Sequence, residues 1–163
     1  MLIRRAQPDD AAAIVALLEV VVAERTYSAI DCVWTVEEER RYLEAFSSRE
    51  AMHVAVDETG DIIGLQILDR WSALDSMSHV GQLGTFLLPA WRRRGVGRRL
   101  WETTLAFARE AGYRKLAIYV RGSNTNAQAF YERLGFTPCG RLWKQVVIDG
   151  VEDDEVLMEL HLT

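Results

Sequence analysis

Two rhythms of apolar and polar positions run along the chain, one with the helical period and one with the alternation of a strand. "LIRRA" predicts a short strand, and "PDDAAAIVALLEVVVAER" predicts a helix capped by Asp9 or Asp10. In "TVEE", Thr35 and Glu38 stand at the spacing of a capping box, which predicts a second helix reaching about Phe46. "AMHVAV" and "IIGLQIL" flank the turn signal "DETGD" and read as a hairpin. After the loop "RWSALDSMS" comes "HVGQLGTFLL", a third strand in that series, stopped by Pro89. Val96, Leu100, Thr104, Phe107 and Ala111 fall on one face of a helix that Gly112 ends. "KLAIYV" is apolar nearly throughout, as a strand covered on both faces should be. "NAQAFYERL" predicts a helix ending at Gly135, and the tail predicts a closing hairpin that turns near Asp149-Gly150. The order is β-α-α-β-β-β-α-β-α-β-β. It describes one mixed α/β layer sandwich over residues 1–163, with a strand–helix–strand crossover at its centre.

Composition narrows the function classes. The chain has 163 residues, enough to bury a core without disulfides or metal. Asp and Glu number 24 against 19 Lys and Arg, an excess of acid that argues against a general nucleic-acid binder. "AAAIVALLEVVVA" is broken by Glu19 and too short to span a bilayer, so no membrane role is expected. "MLIRRAQPDD" has no hydrophobic signal core, which points to the cytoplasm. Cys32 and Cys139 lack CxxC spacing and suit free thiols, while His53, His79 and His161 form no metal-ligand pattern.

One stretch stands out chemically. "PAWRRRGVGRRLW", from Pro89 to Trp101, holds Arg92, Arg93, Arg94, Arg98 and Arg99 around Gly95 and Gly97. It is not a Walker loop, because Gly97 is followed by Arg-Arg-Leu. Nor is it a Rossmann fingerprint, because Leu100 occupies the third glycine's place. What remains is Arg-x-x-Gly-x-Gly between a strand and an amphipathic helix. Glycines admit a ligand close to the main chain, the helix start offers free N–H groups, and arginines add forked donors. That combination suits a pyrophosphate. A solvated turn or weak targeting patch is the commoner fate of such a run, but neither needs a glycine pair opening a helix.

At this point the residues resemble a family. "LLPAWRRRGVGRRLWETTLAFARE" is similar to the acetyl-CoA-binding signature of the GCN5-related N-acetyltransferases (GNAT). A second family segment is present as "YVRGSNTNAQAFYERLGF", with Asn124, Ala127, Tyr131 and Gly135-Phe136 at the family's spacing. The resemblance spans nearly the whole chain and implies a GNAT-like mixed, mostly antiparallel sheet flanked by helices. It also implies acetyl-CoA as cosubstrate and transfer of the acetyl group to an amine. Phe86, Leu87 and Leu88 would line the pantetheine arm like an added strand. The backbone N–H near Leu87 would hold the developing oxyanion, a donor worth roughly 3 kcal/mol of barrier. Backbone from Arg93 through Gly95, Val96 and Gly97 to Arg98 would surround the pyrophosphate, with Arg92, Arg94, Arg98 and Arg99 as side-chain candidates. Arg98 and Arg99 have the alternative of serving Glu102 on the helix surface. Asn124 would bond the pantetheine arm or simply cap its helix, with Ser123 a rival cap. Tyr131 would protonate the departing thiolate, while Ala127 and Phe130 would line the channel and Arg133 would reach the 3′-phosphate.

The family pattern fails at the general base. Some relatives carry a glutamate where Gly81 or Gln82 stands here, and neither of these can accept the proton. His79, Asp75 and Glu24 are the substitutes the sequence offers, with a water chain at Gln82 as a further route. Cys139 as a nucleophile has no base beside it, so direct attack in a ternary complex is the expected mechanism, with Cys139 as packing. For the acceptor, Glu24, Tyr27, Trp34, Trp71, Asp75 and Trp143 offer carboxylates and aromatics that suit a cationic amine. A non-catalytic CoA-binding module of the same fold is the alternative, favoured by the missing glutamate. Family habit extends the implication to a homodimer.

Overall fold

Seven strands pair into one sheet in the order β1-β2-β3-β4-β5-β7-β6. The computed structural model describes residues 1–163. The strands are β1 (Leu2–Arg5), β2 (Ala51–Val56), β3 (Ile62–Arg70), β4 (Val80–Leu87), β5 (Lys115–Arg121), β6 (Thr137–Ile148) and β7 (Val151–His161). The helices are α1 (Ala11–Ala23), α2 (Val36–Glu44), α3 (Val96–Glu110) and α4 (Thr125–Arg133), so the chain order is the one the pattern predicts. No helix is long and apolar enough to cross a membrane.

Local chemistry explains most boundaries. Thr35 accepts from the Glu38 N–H at 3.3 Å and Glu38 accepts from the Thr35 N–H at 2.8 Å, the predicted capping box. The helix it opens ends at Glu44 rather than Phe46. Asp149 and Gly150 adopt φ of 52° and 77°, the left-handed pair that turns the β6–β7 hairpin. The cap of α1 differs from expectation. Neither Asp9 nor Asp10 caps it with a side chain. The Asp10 carboxylate instead accepts from Arg4 at 2.7 and 2.8 Å and from the Gln7 N–H at 2.7 Å, tying the helix start to β1.

Helices cover both faces. Ile14, Leu17, Leu18 and Val21 of α1, with Leu43 of α2, pack on Met52, Val54 and Leu65. On the opposite face Trp101 and Ala108 of α3 and Tyr131 of α4 pack with Leu116, Ile118, Phe136 and Met158. Burying such side chains is worth about 1.5 to 3 kcal/mol each.

Only one strand pair is parallel, and it sets the site. β4 pairs with β3 along its whole length, from Arg70↔Gly81 to Gly64↔Leu87. It pairs with β5 only at Val80↔Lys115, Gly81↔Leu116 and Gln82↔Ala117. Where the two strands are closest, a Cβ on Gly81 would lie 2.7 Å from Leu68 Cδ1 and 3.0 Å from Leu116 Cδ2, so the α3 side there is filled. Beyond Gln82 the edges of β4 and β5 part, and a gap opens in the middle of the sheet.

Candidate active site

The gap is lined by backbone groups that the sheet leaves unused. Leu88 donates its N–H to Ile63 O at 3.1 Å. Antiparallel ladders bond alternate residues, so the backbone groups of Phe86 and Leu88 turn towards β3, while those of Thr85 and Leu87 turn towards the gap. This narrows the sequence expectation. The main chain of Phe86 and the Leu88 N–H are committed to the ladder, the Leu88 carbonyl accepts from the Trp91 N–H at 2.9 Å, and Leu87 is the residue of the three whose N–H faces an incoming chain. The Leu87 carbonyl is taken by Arg92, whose Nε and Nη2 donate to it at 3.2 and 3.1 Å.

Arg92 is accordingly not free for phosphate. Its Nη1 donates to Glu24 at 2.8 Å, and its guanidinium lies 4.7 Å from the centre of the Tyr27 ring. Glu24 and Tyr27, proposed from sequence for the acceptor, thus serve first to hold Arg92. Arg98 is spent on Glu102 at 3.1 Å, the surface alternative foreseen for it. Arg94 lies over the Trp91 ring at 5.6 Å. The backbone of the turn is better placed than these side chains. Arg93 and Gly95 both take left-handed φ, 58° and 80°, and bend the chain into the start of α3. The first helical bond of α3 runs from Arg99 N–H to Gly95 O at 3.1 Å, leaving the Val96, Gly97 and Arg98 N–H groups ahead of it free for an anion. Gly97 lets Phe130 pack closely on α3, since a Cβ there would sit 3.3 Å from Phe130 Cζ, a tight contact, and 3.5 Å from Leu87 Cδ1, an ordinary one.

α4 brings its residues to the same gap. Asn124, not Ser123, caps it, accepting from the Ala127 N–H at 3.1 Å; its amide also donates to Tyr27 O at 3.4 Å. Ser123 bonds Asp153 instead, at 2.6 Å. Phe130 packs edge-on against Tyr131, with ring centres 5.1 Å apart. Arg133 closes the last turn with no acid partner in the fold. Tyr131 is 3% exposed and donates its hydroxyl to Thr85 Oγ1 at 2.7 Å. Burial pushes its phenol up to about 12, against the lowering effect of the Thr85 bond, so it is protonated at neutral pH. Thr85 Oγ1 also accepts from Gln66 Nε2 at 2.8 Å, and Gln66 is wholly buried. Sequence reasoning passed over Gln66 and Thr85 because their link to Tyr131 runs across three elements.

The base candidates are not brought together. His79 stands before β4, at the end where β4 and β5 are still paired. It lies about 26 Å along the strand from Leu87 at the usual rise. Asp75 sits in a short turn of helix at that same end and is exposed. Trp71 stacks on Tyr119 at 5.5 Å and 23°, on the sheet face that carries α1 and α2. Trp143 is exposed on β6. Cys139 is exposed rather than packed in the core, donates weakly to Leu157 O at 3.5 Å, and is raised in pKa by burial of its sulfur, which disfavours the thiolate. No group of three acidic, histidine or cysteine side chains has the arrangement of a metal site.

The α1/α2 face holds carboxylates the sequence did not single out. Asp69 lies directly across the ladder from Gln82 and so shares its face. Tyr42 of α2 donates to one Asp69 oxygen at 2.6 Å, and Glu39 sits one helical turn away, 2% exposed. Burial pushes the Glu39 carboxyl up to about 6; burial likewise raises Asp69, opposed by the Tyr42 bond.

The fold is shared with known proteins. The model of the acetyltransferase (GNAT) family matches residues 16–136. A Bacillus subtilis protein provisionally named as a phosphinothricin acetyltransferase is 24% identical over 163 residues, covering 100% of both chains. A solved GNAT acetyltransferase from Streptococcus pneumoniae superposes with a TM-score of 0.91 at 27% identity, covering 99% of each chain. The Sinorhizobium meliloti phosphinothricin acetyltransferase, solved in complex with acetyl-CoA, has a TM-score of 0.91 at 20% identity, covering 99% of this chain and 88% of that one.

Proposed function

The chain belongs to the acetyltransferase (GNAT) family and is an N-acetyltransferase; from that premise, and from the family's use of acetyl-CoA, we propose that residues 1–163 form one catalytic domain. It transfers the acetyl group of acetyl-CoA to a primary amine by direct attack in a ternary complex.

The parting of β4 from β5 beyond Gln82 carries this reading. An extended pantetheine arm fits such a gap as a strand would, and the Leu87 N–H faces it without a competing partner. Placed there, the thioester oxygen is held by a fixed donor as negative charge develops on it. The ammonium first gives one proton to solvent, and the freed nitrogen lone pair forms the C–N bond; that nitrogen then loses a second proton to solvent, the C–S bond breaks, and its electron pair leaves on sulfur. Tyr131 gives that sulfur its proton. Thr85, held by Gln66, can then turn its own hydroxyl hydrogen towards the tyrosinate. The backbone from Arg93 to Arg98 takes the pyrophosphate, with Arg93 and Arg99 the arginines left without a partner in the fold. Asn124, Ala127 and Phe130 line the arm, and Arg133 meets the adenosine phosphate.

Calorimetry with acetyl-CoA and a thiol-release assay test the proposal. Wild-type protein should bind acetyl-CoA in the micromolar range, and an absence of binding at high micromolar cofactor sinks it. Tyr131→Phe should lower turnover by about 100-fold, the low end for a lost general acid, with acetyl-CoA affinity within about threefold. Unchanged turnover removes the acid role from Tyr131.

A further inference from the structure

A cleft of about 320 Å³ opens on the α1/α2 face of the sheet, walled by Val33, Trp34 and Tyr42 and floored by Phe86 of β4. Ten of its fourteen lining residues are hydrophobic, and none is lysine or arginine. Two carboxylates nevertheless reach into it. Glu39 Oε1 and Asp69 Oδ1 are buried oxygens with no hydrogen-bond partner. A buried carboxylate oxygen left unpaired is unfavourable, and folds supply a cation or donor to such a group unless a ligand is to bring one. Here Tyr42 satisfies only the second oxygen of Asp69, and the two orphaned oxygens have no donor of any kind.

We infer that this cleft is the acceptor site, and that it takes a primary amine in its ammonium form on an apolar or aromatic body that carries no carboxylate. The inference rests on the acetyl-transfer reading above and specifies its second substrate. Glu39 and Asp69 meet the ammonium with the two orphaned oxygens. Trp34 and Tyr42, packed edge-on with centres 5.2 Å apart, present aromatic surface to the rest of the molecule. Position agrees with chemistry. Gln82, Gly84 and Phe86 lie under the cleft on the strand whose next residue, Leu87, turns its N–H to the gap, so a bound amine stands beside the thioester. A carboxylate on the acceptor meets two like charges and no cation, which discriminates against free amino acids.

Binding, rather than turnover, reads this out directly. Titrate 2-phenylethylamine, phenylalanine amide and phenylalanine by calorimetry into protein saturated with CoA, whose own binding is measured first in the same cell. Failure of CoA to bind overturns the acetyl-transfer reading. With CoA bound, both carboxylate-free amines should bind at least tenfold more tightly than phenylalanine. Glu39→Gln and Asp69→Asn should each weaken 2-phenylethylamine at least fivefold while leaving CoA affinity within twofold; Tyr42→Phe serves as a milder variant should either fail to fold. Equal binding of phenylalanine, no amine binding, or unchanged amine affinity in both carboxylate variants overturns the acceptor assignment alone.

Discussion

Glu39 holds a charge from which the folded chain gains nothing by itself. Burial raises its carboxyl from 4.5 to about 6, so the folded state binds the proton more tightly than the unfolded chain. Between those values the folded state carries more protons, and stability therefore falls as pH rises through that window. Above it the folded protein bears the whole cost, about 1 kcal/mol once water at the cleft mouth is allowed for. Glu39→Gln keeps the shape and removes the charge. It should raise stability in urea unfolding by about 1 kcal/mol at pH 8 and change nothing at pH 4, where both side chains are neutral. A loss of stability at pH 8 would show that the folded chain itself satisfies the charge. The same residue shows why part of the site is illegible in sequence. Glu37, Glu38 and Glu39 are consecutive acids in the first turn, of which the sequence gives a role only to Glu38, and the docking of α2 on the sheet selects the third for burial. Asp69 is hidden likewise, since alternation along β3 does not say which face is the active one. Asn124 and Tyr131 are legible because one short helix fixes their spacing. His79 drew attention by residue type alone, and which end of β4 is the reacting one is set by where the strand parts from β5.

At the scale of elements, boundaries are legible where a local rule sets them. The Thr35–Glu38 box, the left-handed Gly112 and the Asp149-Gly150 turn all fall where the sequence puts them, because each depends on residues within a few positions. The start of α1 departs because Arg4, on a neighbouring strand, claims the Asp10 carboxylate. The gap beside β4 follows from the family resemblance, which gives the pantetheine arm a place along Phe86, Leu87 and Leu88, and not from the residues of the strand themselves. Nothing in "HVGQLGTFLL" marks Gln82 as the last paired residue; that depends on how far two distant segments stay in register. These differences in origin give α2 a measurable role. It has nine residues, too few to be stable without its cap and its packing, and it carries both Glu39 and Tyr42. Thr35→Ala should lower global stability by about 1 kcal/mol in urea unfolding and weaken 2-phenylethylamine binding with it, while Thr35→Ser keeps most of both. Full amine affinity in a destabilised Thr35→Ala protein would mean that the cleft does not depend on the helix start.

At the scale of the molecule, the net charge of −5 is unevenly spread. Unpaired acid lines the acceptor cleft, while five arginines crowd the turn from Arg92 to Arg99 on the way into α3. Each substrate thus meets the opposite charge at its own entrance. Side-chain charge and backbone donors make different contributions at the cofactor's entrance, and salt separates them. Exposed charges are screened over about 10 Å at 0.1 M salt, whereas N–H groups that touch a phosphate are affected far less. If the arginines did the holding, affinity for CoA would fall steeply with salt. Arg92 is locked to Glu24 and Leu87 O, Arg98 to Glu102, and Arg94 rests on Trp91, leaving Arg93 and Arg99 to respond. Raising NaCl from about 0.05 to about 0.5 M should therefore weaken CoA binding by less than about tenfold in calorimetry. Arg93→Gln with Arg99→Gln should flatten that dependence, and Gly97→Ala should weaken binding at every salt concentration by pushing Phe130 away from α3. A dependence much steeper than tenfold, lost in Arg94→Gln or Arg98→Gln, would mean that those side chains leave their present partners when the cofactor arrives.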